Sequence, residues 1–91
     1  MTEFTGLWRN AMMTAREALN YLKWSTDISF ERVTLLYADR TAKEGSKVIE
    51  GKNIIEIERR YFTNEEGGRM PLYKILEIRV DGISVWRRVH D

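Results

Sequence analysis

The chain has 91 residues, 43% of them hydrophobic, and its 15 basic residues nearly balance its 14 acidic ones. A chain of this length is expected to form one domain that buries roughly 60–65% of its unfolded surface. The absence of cysteine excludes disulfide scaffolds, thiolate zinc sites and cysteine nucleophiles. Because no apolar run reaches the length of a membrane span and the N-terminus lacks a secretory pattern, we expect a soluble, cytoplasmic protein.

Residues 1–13 are interpreted as an N-terminal extension, and residues 14–91 as a single domain. Several apolar residues of the extension are spaced as on one side of a short helix. We favour a frayed leader, or a helical turn that covers an edge of the core, over a helix that binds a partner.

The clearest helix is predicted over residues 14–23. Thr14 can cap its N-terminus, and Glu17 three residues later completes a capping box in which each side chain bonds the other residue's backbone N–H. Trp24 follows the helix, and we expect it to fill space in the core, because an aromatic residue beside a helix end usually buries its area. The stripe that should face the core comprises Ala15, Ala18, Leu19 and Leu22.

Several strands with short connections follow the helix. Residues 32–40 alternate in a way that predicts a strand apolar on both faces, which is typical of a central strand or of one covered by a helix. A short strand over 47–50 and a turn over 51–53 come next. Residues 54–62 are predicted to form one continuous strand, which a turn over 64–68 terminates.

Residues 69–88 carry the strongest local pattern of the chain, that of a β-hairpin that begins near Pro71. Asp81 and Gly82 separate two apolar runs, and this dipeptide suits a type I′ turn, whose two central residues need positive φ. Pairing outward from this turn predicts a buried face with Leu76, Ile78, Val80, Ile83 and Val85, and a solvent face with Ile75, Glu77, Arg79, Ser84, Trp86 and Arg88.

The predicted elements combine into an α+β fold. Strands joined by short turns must be antiparallel, because a parallel return needs a crossover of about a dozen residues. We therefore expect an N-terminal helix packed on a strongly curved, mainly antiparallel sheet of about five strands, a curvature that also suits a barrel-like shape.

Catalytic and metal chemistry have little support in the sequence. His90 is the single histidine, and no run of carboxylates has the spacing of a metal-binding loop. Motifs of a serine nucleophile or a phosphate-binding loop are also absent. We predict no catalytic residues, no metal site and no cofactor.

Basic residues beside aromatic ones indicate RNA or another anionic ligand. Guanidinium groups match phosphate oxygens, and aromatic rings stack on unpaired bases. The alternative is an ordinary solvent face on which arginines pair across strands with glutamates, such as Glu77 with Arg88, and Glu56 or Glu58 with Arg79. Each such pair contributes about 0–1 kcal/mol, and the residues alone favour this alternative. The basic and aromatic segments are 59–61, 69, 73–74, 79 and 86–88.

Three segments carry a resemblance to a known family. Residues 70–78, with the Asp81-Gly82 turn and the following Val85-Trp86-Arg87-Arg88, form the longest of them, and segments 17–24 and 37–40 agree in order. Over about residues 14–89 the chain resembles small, mostly archaeal proteins known as the RNA cyclic-group end recognition domain. The pattern of that family is an apolar residue, Pro, any residue, His, Arg and Ile.

The resemblance implies an RNA-binding module, and not an enzyme, that recognises RNA ends with a 2′,3′-cyclic phosphate. It points to Tyr73 and Lys74, which replace the His and Arg of the family, and to Arg40 and Trp86. Lysine keeps the charge but loses the fork of the arginine. Together with the basic face, the predicted RNA-binding residues are Arg40, Arg60, Tyr73, Lys74, Arg79, Trp86 and Arg88.

Two other functions stay open. The domain could bind a protein partner or self-associate, through an exposed edge strand or through the N-terminal extension, without binding nucleic acid. A phosphoesterase that acts on RNA ends is less favoured, because Tyr73 removes the acid–base group that a histidine would supply.

Overall fold

The computed structural model describes residues 13–66 and 68–88, so the predictions for residues 1–12 and for His90 lie outside the described residues. The described strands form two antiparallel sheets, ordered β2-β1-β6-β7 and β3-β4-β5. The α+β class and the antiparallel pairing are thus confirmed. The elements are helix α1 (Ala15–Trp24) and strands β1 (Val33–Ala38), β2 (Ser46–Glu50), β3 (Ile54–Ile57), β4 (Tyr61–Asn64), β5 (Gly68–Pro71), β6 (Ile75–Val80) and β7 (Ile83–Arg87).

Helix α1 begins with the predicted capping box. The Glu17 backbone N–H donates to Thr14 Oγ1 at 3.1 Å, and the Thr14 N–H donates to Glu17 Oε1 at 2.9 Å. The prediction for Trp24 is wrong: this residue is the last of the helix and its side chain is 78% exposed. Two positions after Leu22, at about 100° per residue, it projects away from the apolar stripe. The predicted stripe is buried and comprises Ala15, Ala18, Leu19 and Leu22.

Strand β1 lies in the interior of the four-stranded sheet, as its two apolar faces predict. It pairs with β2 on one side and with β6 on the other. Val33, Leu35 and Tyr37 are buried against the helix and the second sheet, while the alternate residues are half-buried.

The β6–β7 hairpin has the predicted turn but a different register. Asp81 and Gly82 have φ values of 55° and 82°, as a type I′ turn requires. A bulge at Val85 then shifts the pairing by one residue, so that Trp86 lies opposite Ile78. Because a shift of one residue exchanges the two faces of a strand, Trp86 is buried, with 6% of its surface exposed. The prediction of Trp86 on the solvent face is therefore wrong.

A second irregularity reverses the predicted faces at the start of β6. Leu76 has no partner on β1, since Leu36 pairs with Glu77 and Tyr37 pairs with Ile75. Ile75, predicted to face solvent, is consequently fully buried, whereas Leu76 is half-buried. Ile83 was expected on the buried face, but it lies beside the turn on an edge strand and is exposed.

Each of two long strands that the sequence predicts is broken in the structure, and the resulting shorter strands include the three strands of the second sheet. The expected strand over 54–62 breaks at 58–60, where three consecutive charged residues form a turn that the Glu58 N–H closes on the Tyr61 carbonyl at 2.7 Å. The expected strand from residue 69 also breaks, because a 3₁₀ turn over Leu72–Lys74 separates β5 from β6. Pro71 is the last residue of β5, not the first of a longer strand, and β5 is an edge strand. The expectation of one curved, barrel-like sheet of about five strands is therefore wrong, and the described strands form two open sheets.

The core joins helix and sheets through aromatic residues. Phe62 is fully buried, and its ring meets that of Tyr37 edge-on, with centroids 5.8 Å apart. The Tyr37 hydroxyl donates to the Pro71 carbonyl at 3.0 Å, which ties the first sheet to the chain just before the 3₁₀ turn. Burial, and secondarily the nearby Tyr73, raises the pKa of Tyr37 above its ordinary value. The hydroxyl therefore stays a donor, and the 3₁₀ turn is held in place between the sheets.

Candidate nucleic-acid interface

A cleft of about 650 Å³ opens where the N-terminus of α1 meets both sheets, and we call it the arginine cleft. Its walls come from the start of the helix, the turn between β3 and β4, the 3₁₀ turn before β6 and the end of β7. Only folding brings these distant segments together. The described lining residues are Met13, Thr14, Ala15, Arg16, Arg59, Arg60, Leu72, Tyr73, Trp86, Arg87 and Arg88.

Hydrogen bonds to backbone carbonyls hold the walls of the arginine cleft together. Arg16 Nε donates to the Glu58 carbonyl at 3.0 Å, which joins the helix to the β3–β4 turn. The Leu72 N–H donates to the Arg60 carbonyl at 2.9 Å, which joins that turn to the 3₁₀ turn. Trp86 Nε1 donates to the Met13 carbonyl at 2.9 Å, which joins β7 to the segment that precedes the helix. The cleft is therefore preorganised by bonds that leave most guanidinium donors available.

The charge of the arginine cleft is strongly one-sided. Five arginines line it, whereas none of its described lining residues is acidic. Arg59 and Arg60 are exposed, and within the described part of the chain their side chains make no hydrogen bond or ion pair. A cleft with charges of one sign and low-dielectric walls concentrates the field and attracts ligands of opposite charge. The nearly neutral net charge of the chain thus conceals a local concentration of positive charge.

Arg88 forms a fixed positive charge on one side of the arginine cleft. Its Nε donates to the Ile75 carbonyl at 2.8 Å, its Nη2 donates to the Leu72 carbonyl at 3.2 Å, and its guanidinium lies 5.2 Å from the Trp86 ring centre. Burial lowers the pKa of Arg88 from its ordinary value, but a guanidinium remains charged at neutral pH. Since it forms no ion pair with a described carboxylate, its remaining N–H groups are available to an anion.

Glu77 was predicted to pair with Arg88, but its carboxylate pairs with two other arginines. The predicted Glu77–Arg88 pair is absent, because the register shift places Glu77 opposite Arg87. Glu77 Oε1 lies 3.1 Å from Arg79 Nη2, and its Oε2 lies 3.9 Å from Arg87 Nη2. Burial opposes its ionisation, but the Ser84 hydroxyl and the two guanidinium groups outweigh burial and lower the pKa of Glu77. Glu77 therefore neutralises charge on Arg79 and Arg87 and leaves Arg88 without a carboxylate partner among the described residues.

The second set of predicted ion pairs is also different in the structure. Arg79 was expected to pair with Glu56 or Glu58, but these glutamates belong to the other sheet and its boundary. Glu58 instead lies 3.4 Å from Arg69, whose guanidinium also stacks 4.5 Å from the Tyr61 ring centre. The alternative of arginines neutralised by their own glutamates thus holds for Arg69, Arg79 and Arg87. It does not hold for the other arginines of the arginine cleft, which form no ion pair with a described carboxylate.

The structure brings four of the predicted RNA-binding residues together in the arginine cleft: Arg60, Tyr73, Trp86 and Arg88. Tyr73 projects from the 3₁₀ turn with 71% of its surface exposed, whereas Trp86 contributes only an edge of a buried ring. The other three do not line the cleft. Lys74 is the neighbour of Tyr73 in the turn, Arg79 lies in β6 beside Glu77, and Arg40 lies in the turn after β1.

Comparison with known proteins identifies the family of the chain. The chain matches the family model of the MJ1316 RNA cyclic group end recognition domain over residues 12–88. It belongs to this family. A similar protein, the UPF0248 protein of Archaeoglobus fulgidus, is 30% identical to the chain over 70 residues. These residues cover 77% of this chain and 99% of the relative. No solved structure matches the chain.

The segment that resembles the apolar-Pro-x-His-Arg-Ile pattern contributes Leu72 and Tyr73 to the lining of the arginine cleft. It runs from Met70 at the end of β5, through the 3₁₀ turn, to Ile75 at the start of β6. Met70, Leu72 and Ile75 are buried, whereas Tyr73 and Lys74 between them are exposed. The apolar positions of the segment thus anchor the turn, and the two departures from the family pattern are the residues that it presents outward.

Three arginines of the cleft are not among the predicted site residues. Arg59 and Arg87 belong to basic segments that the sequence already singles out, and each is the neighbour of a predicted residue. Arg16 lies outside the predicted apolar stripe of the helix, and no local pattern shows that it adjoins the β3–β4 turn. Only the packing of the helix on the second sheet shows it.

Residues 13–66 and 68–88 of this RNA cyclic group end recognition domain lack two features. They contain no group of three or more acidic or histidine residues placed to hold a metal ion. None of the helices in that part of the chain is long and apolar enough to cross a membrane.

Proposed function

We propose that this protein binds the phosphate-bearing end of an RNA strand in the arginine cleft. The observation that carries the proposal is the concentration of five arginines, without an acidic side chain among the described lining residues. A guanidinium donates two parallel N–H groups to phosphate oxygens, which gives both strength and orientation. The name of the family supports the same ligand, since it describes recognition of a cyclic group at an RNA end.

The residues of the arginine cleft have separable roles in this proposal. Arg59 and Arg60, exposed on the β3–β4 turn, contact the phosphate from the rim. Arg88 contacts it from inside, because two backbone carbonyls already fix the orientation of its guanidinium. Tyr73 stacks on the terminal base or donates its hydroxyl to the phosphate, and the adjacent Lys74 adds a charge at the entrance.

We further propose that the preferred end is a 2′,3′-cyclic phosphate. This group carries one negative charge on a compact ring fused to the ribose, so its ideal site combines guanidinium donors with apolar surface. The arginine cleft has both, since Met13, Leu72 and Trp86 contribute apolar atoms between the arginines. A fully polar site would favour more highly charged phosphates instead.

We propose that the arginine cleft binds the RNA end and does not catalyse a reaction of it. The family is described as a recognition domain. Tyr73 stands where the family pattern has histidine, the only side chain whose unperturbed pKa allows proton exchange near neutral pH. A phenol at this position keeps the ability to donate a hydrogen bond to a bound phosphate. We therefore expect the RNA end to leave the cleft unchanged.

Salt dependence tests the proposal through the number of phosphates that the cleft contacts. For a short single-stranded RNA, the logarithm of the association constant should fall as log[salt] rises. The slope should be about −1.4 or steeper, which corresponds to two phosphates at about −0.7 each. Arg60→Gln should reduce the steepness by about 0.7, because it removes one contact. Fluorescence titrations at four salt concentrations measure both slopes, with the exposed Lys43→Gln as the matched control. A flat salt response of the unmodified chain would contradict phosphate binding.

A further inference from the structure

Two other grooves adjoin the arginine cleft. The larger one, which we call the aromatic groove, has a volume of about 650 Å³ and shares Met13 with the cleft. The smaller one has a volume of about 250 Å³ and shares Arg87 and Arg88 with the cleft. The side chains that characterise the aromatic groove are Met13, Asn20, Tyr21, Trp24, Ser25 and Thr26.

Trp24 is the most unusual residue of the aromatic groove. With 78% of its surface exposed, it is the most accessible large hydrophobic side chain among the described residues. It lies at the end of α1, one turn after Tyr21, so the two side chains are neighbours on the helix surface. An indole in this position adds little to the core, whereas its open face can stack on a planar ligand.

The polar residues of the aromatic groove suit an uncharged heterocycle. Asn20, Ser25 and Thr26 supply the amide and hydroxyl groups that bind the edges of nucleobases. Neither lysine nor arginine occurs among its described lining residues, so the groove has no means of neutralising a phosphate. Its acidic residue, Glu17, already accepts a hydrogen bond from the Thr14 N–H in the capping box.

Each of these two grooves offers a path for an RNA strand whose end lies in the arginine cleft. None of the described residues that line the smaller groove is aromatic, so this groove offers no ring on which a base could stack. The aromatic groove offers Trp24 and Tyr21, and unpaired bases stack on such rings with about 1–3 kcal/mol each. The route past Met13 is therefore the favourable one for single-stranded RNA.

We propose that the aromatic groove binds a nucleobase upstream of the RNA end, by stacking on Trp24. This inference rests on the proposed function of the arginine cleft and adds the class of ligand to it. Arg16 and Trp24 are eight residues apart on α1, which is about 12 Å at 1.5 Å per residue, whereas successive bases stack about 3.4 Å apart. The ligand is thus a single-stranded end of several nucleotides, and not a mononucleotide.

The test compares two ligands that share one end group. Isothermal titration of the full chain measures the affinity for adenosine 2′,3′-cyclic monophosphate and for a tetranucleotide that ends in the same nucleotide. We expect the tetranucleotide to bind about tenfold more tightly, since one stacked base is enough for this difference. Trp24→Ala should remove most of the difference and leave the mononucleotide affinity within about twofold, because Trp24 does not line the cleft.

Two further variants separate stacking from general effects. Trp24→Phe keeps an aromatic face and should retain most of the preference for the longer ligand. Val48→Ala changes an exposed hydrophobic residue of β2 that lines neither groove, and it should alter neither affinity.

Four results would overturn the inference. Equal affinity of the unmodified chain for both ligands would do so while leaving the proposed function intact. An equal loss of affinity for both ligands in Trp24→Ala would mean that Trp24 supports the fold of the cleft and does not stack on a base. A lower molar mass of Trp24→Ala in solution would make the groove a protein interface. Failure of the unmodified chain to bind either ligand would remove the proposed function together with this inference.

Discussion

Exchange of both Arg59 and Arg60 for glutamate is expected to weaken binding of a cyclic-phosphate RNA end by about a hundredfold or more. Each hydrogen bond to a charged group contributes about 1.5–3 kcal/mol, and the new carboxylates would also repel the phosphate. The fold should survive, because both side chains are exposed and form no ion pair within the described residues. Fluorescence titration measures the affinity, and thermal unfolding verifies that the variant is folded.

The control for this double exchange must change the net charge equally. Lys43→Glu with Lys52→Glu does so at two exposed positions that do not line the arginine cleft. Binding by this control should change by less than about threefold at physiological salt, where charges farther apart than about 8 Å are screened. Equal losses in the two double variants would mean that RNA responds to the charge of the whole protein, and the cleft would have no special role.

The largest effect on stability is expected from Phe62→Ala. Phe62 is fully buried and packs edge-on against Tyr37, so its loss leaves a cavity between the two sheets. Removal of a buried phenylalanine typically costs about 3–5 kcal/mol, which is a large part of the about 5–15 kcal/mol that stabilises a typical domain. Urea denaturation followed by circular dichroism measures the change.

Ile55→Ala is the matched control for Phe62→Ala. Ile55 is 60% exposed on β3, the strand that pairs with the strand of Phe62. Its replacement should change the free energy of unfolding by less than about 0.5 kcal/mol, the usual limit for surface sites. If the two variants were destabilised equally, the division of residues 54–64 into two paired strands would be incorrect.

The features that the sequence predicts correctly depend on a few neighbouring residues. The capping box needs only Thr14 and Glu17, and the type I′ turn needs only Asp81 and Gly82. The interior position of β1 follows from its continuous apolar pattern. In each case the determining interactions span a few residues, so the local pattern contains the information.

The errors of the sequence prediction arise where tertiary packing changes the register. The bulge at Val85 places both Val85 and Trp86 in the core, although simple alternation assigns them to opposite faces. At the start of β6, Leu76 has no partner on β1 and shifts the register by one residue in the same way. A bulge has no distinct signature in an apolar run, so the sequence alone could not separate the buried face from the exposed one.

The sequence prediction placed most of the basic and aromatic residues on one face of a sheet, whereas four of the predicted RNA-binding residues line a cleft between several elements. Arg60 and Arg88 line the same cleft because β3 and β4 form a second sheet, and this requires the break at residues 58–60. The resemblance directed attention to Tyr73, and the structure places this residue at the edge of the cleft. Arg16 could be assigned only after the contact between the helix and the β3–β4 turn was known.

The most direct test of the proposed function is a titration with one short single-stranded RNA in two forms, ending in a 2′,3′-cyclic phosphate or in a plain 3′-hydroxyl. The cyclic form should bind at least about tenfold more tightly, since it adds a charged group for Arg60 and Arg88 to contact. The double exchange of Arg59 and Arg60 for glutamate should abolish this preference. Equal affinity for the two forms, at low salt and with a folded protein, would contradict recognition of the RNA end.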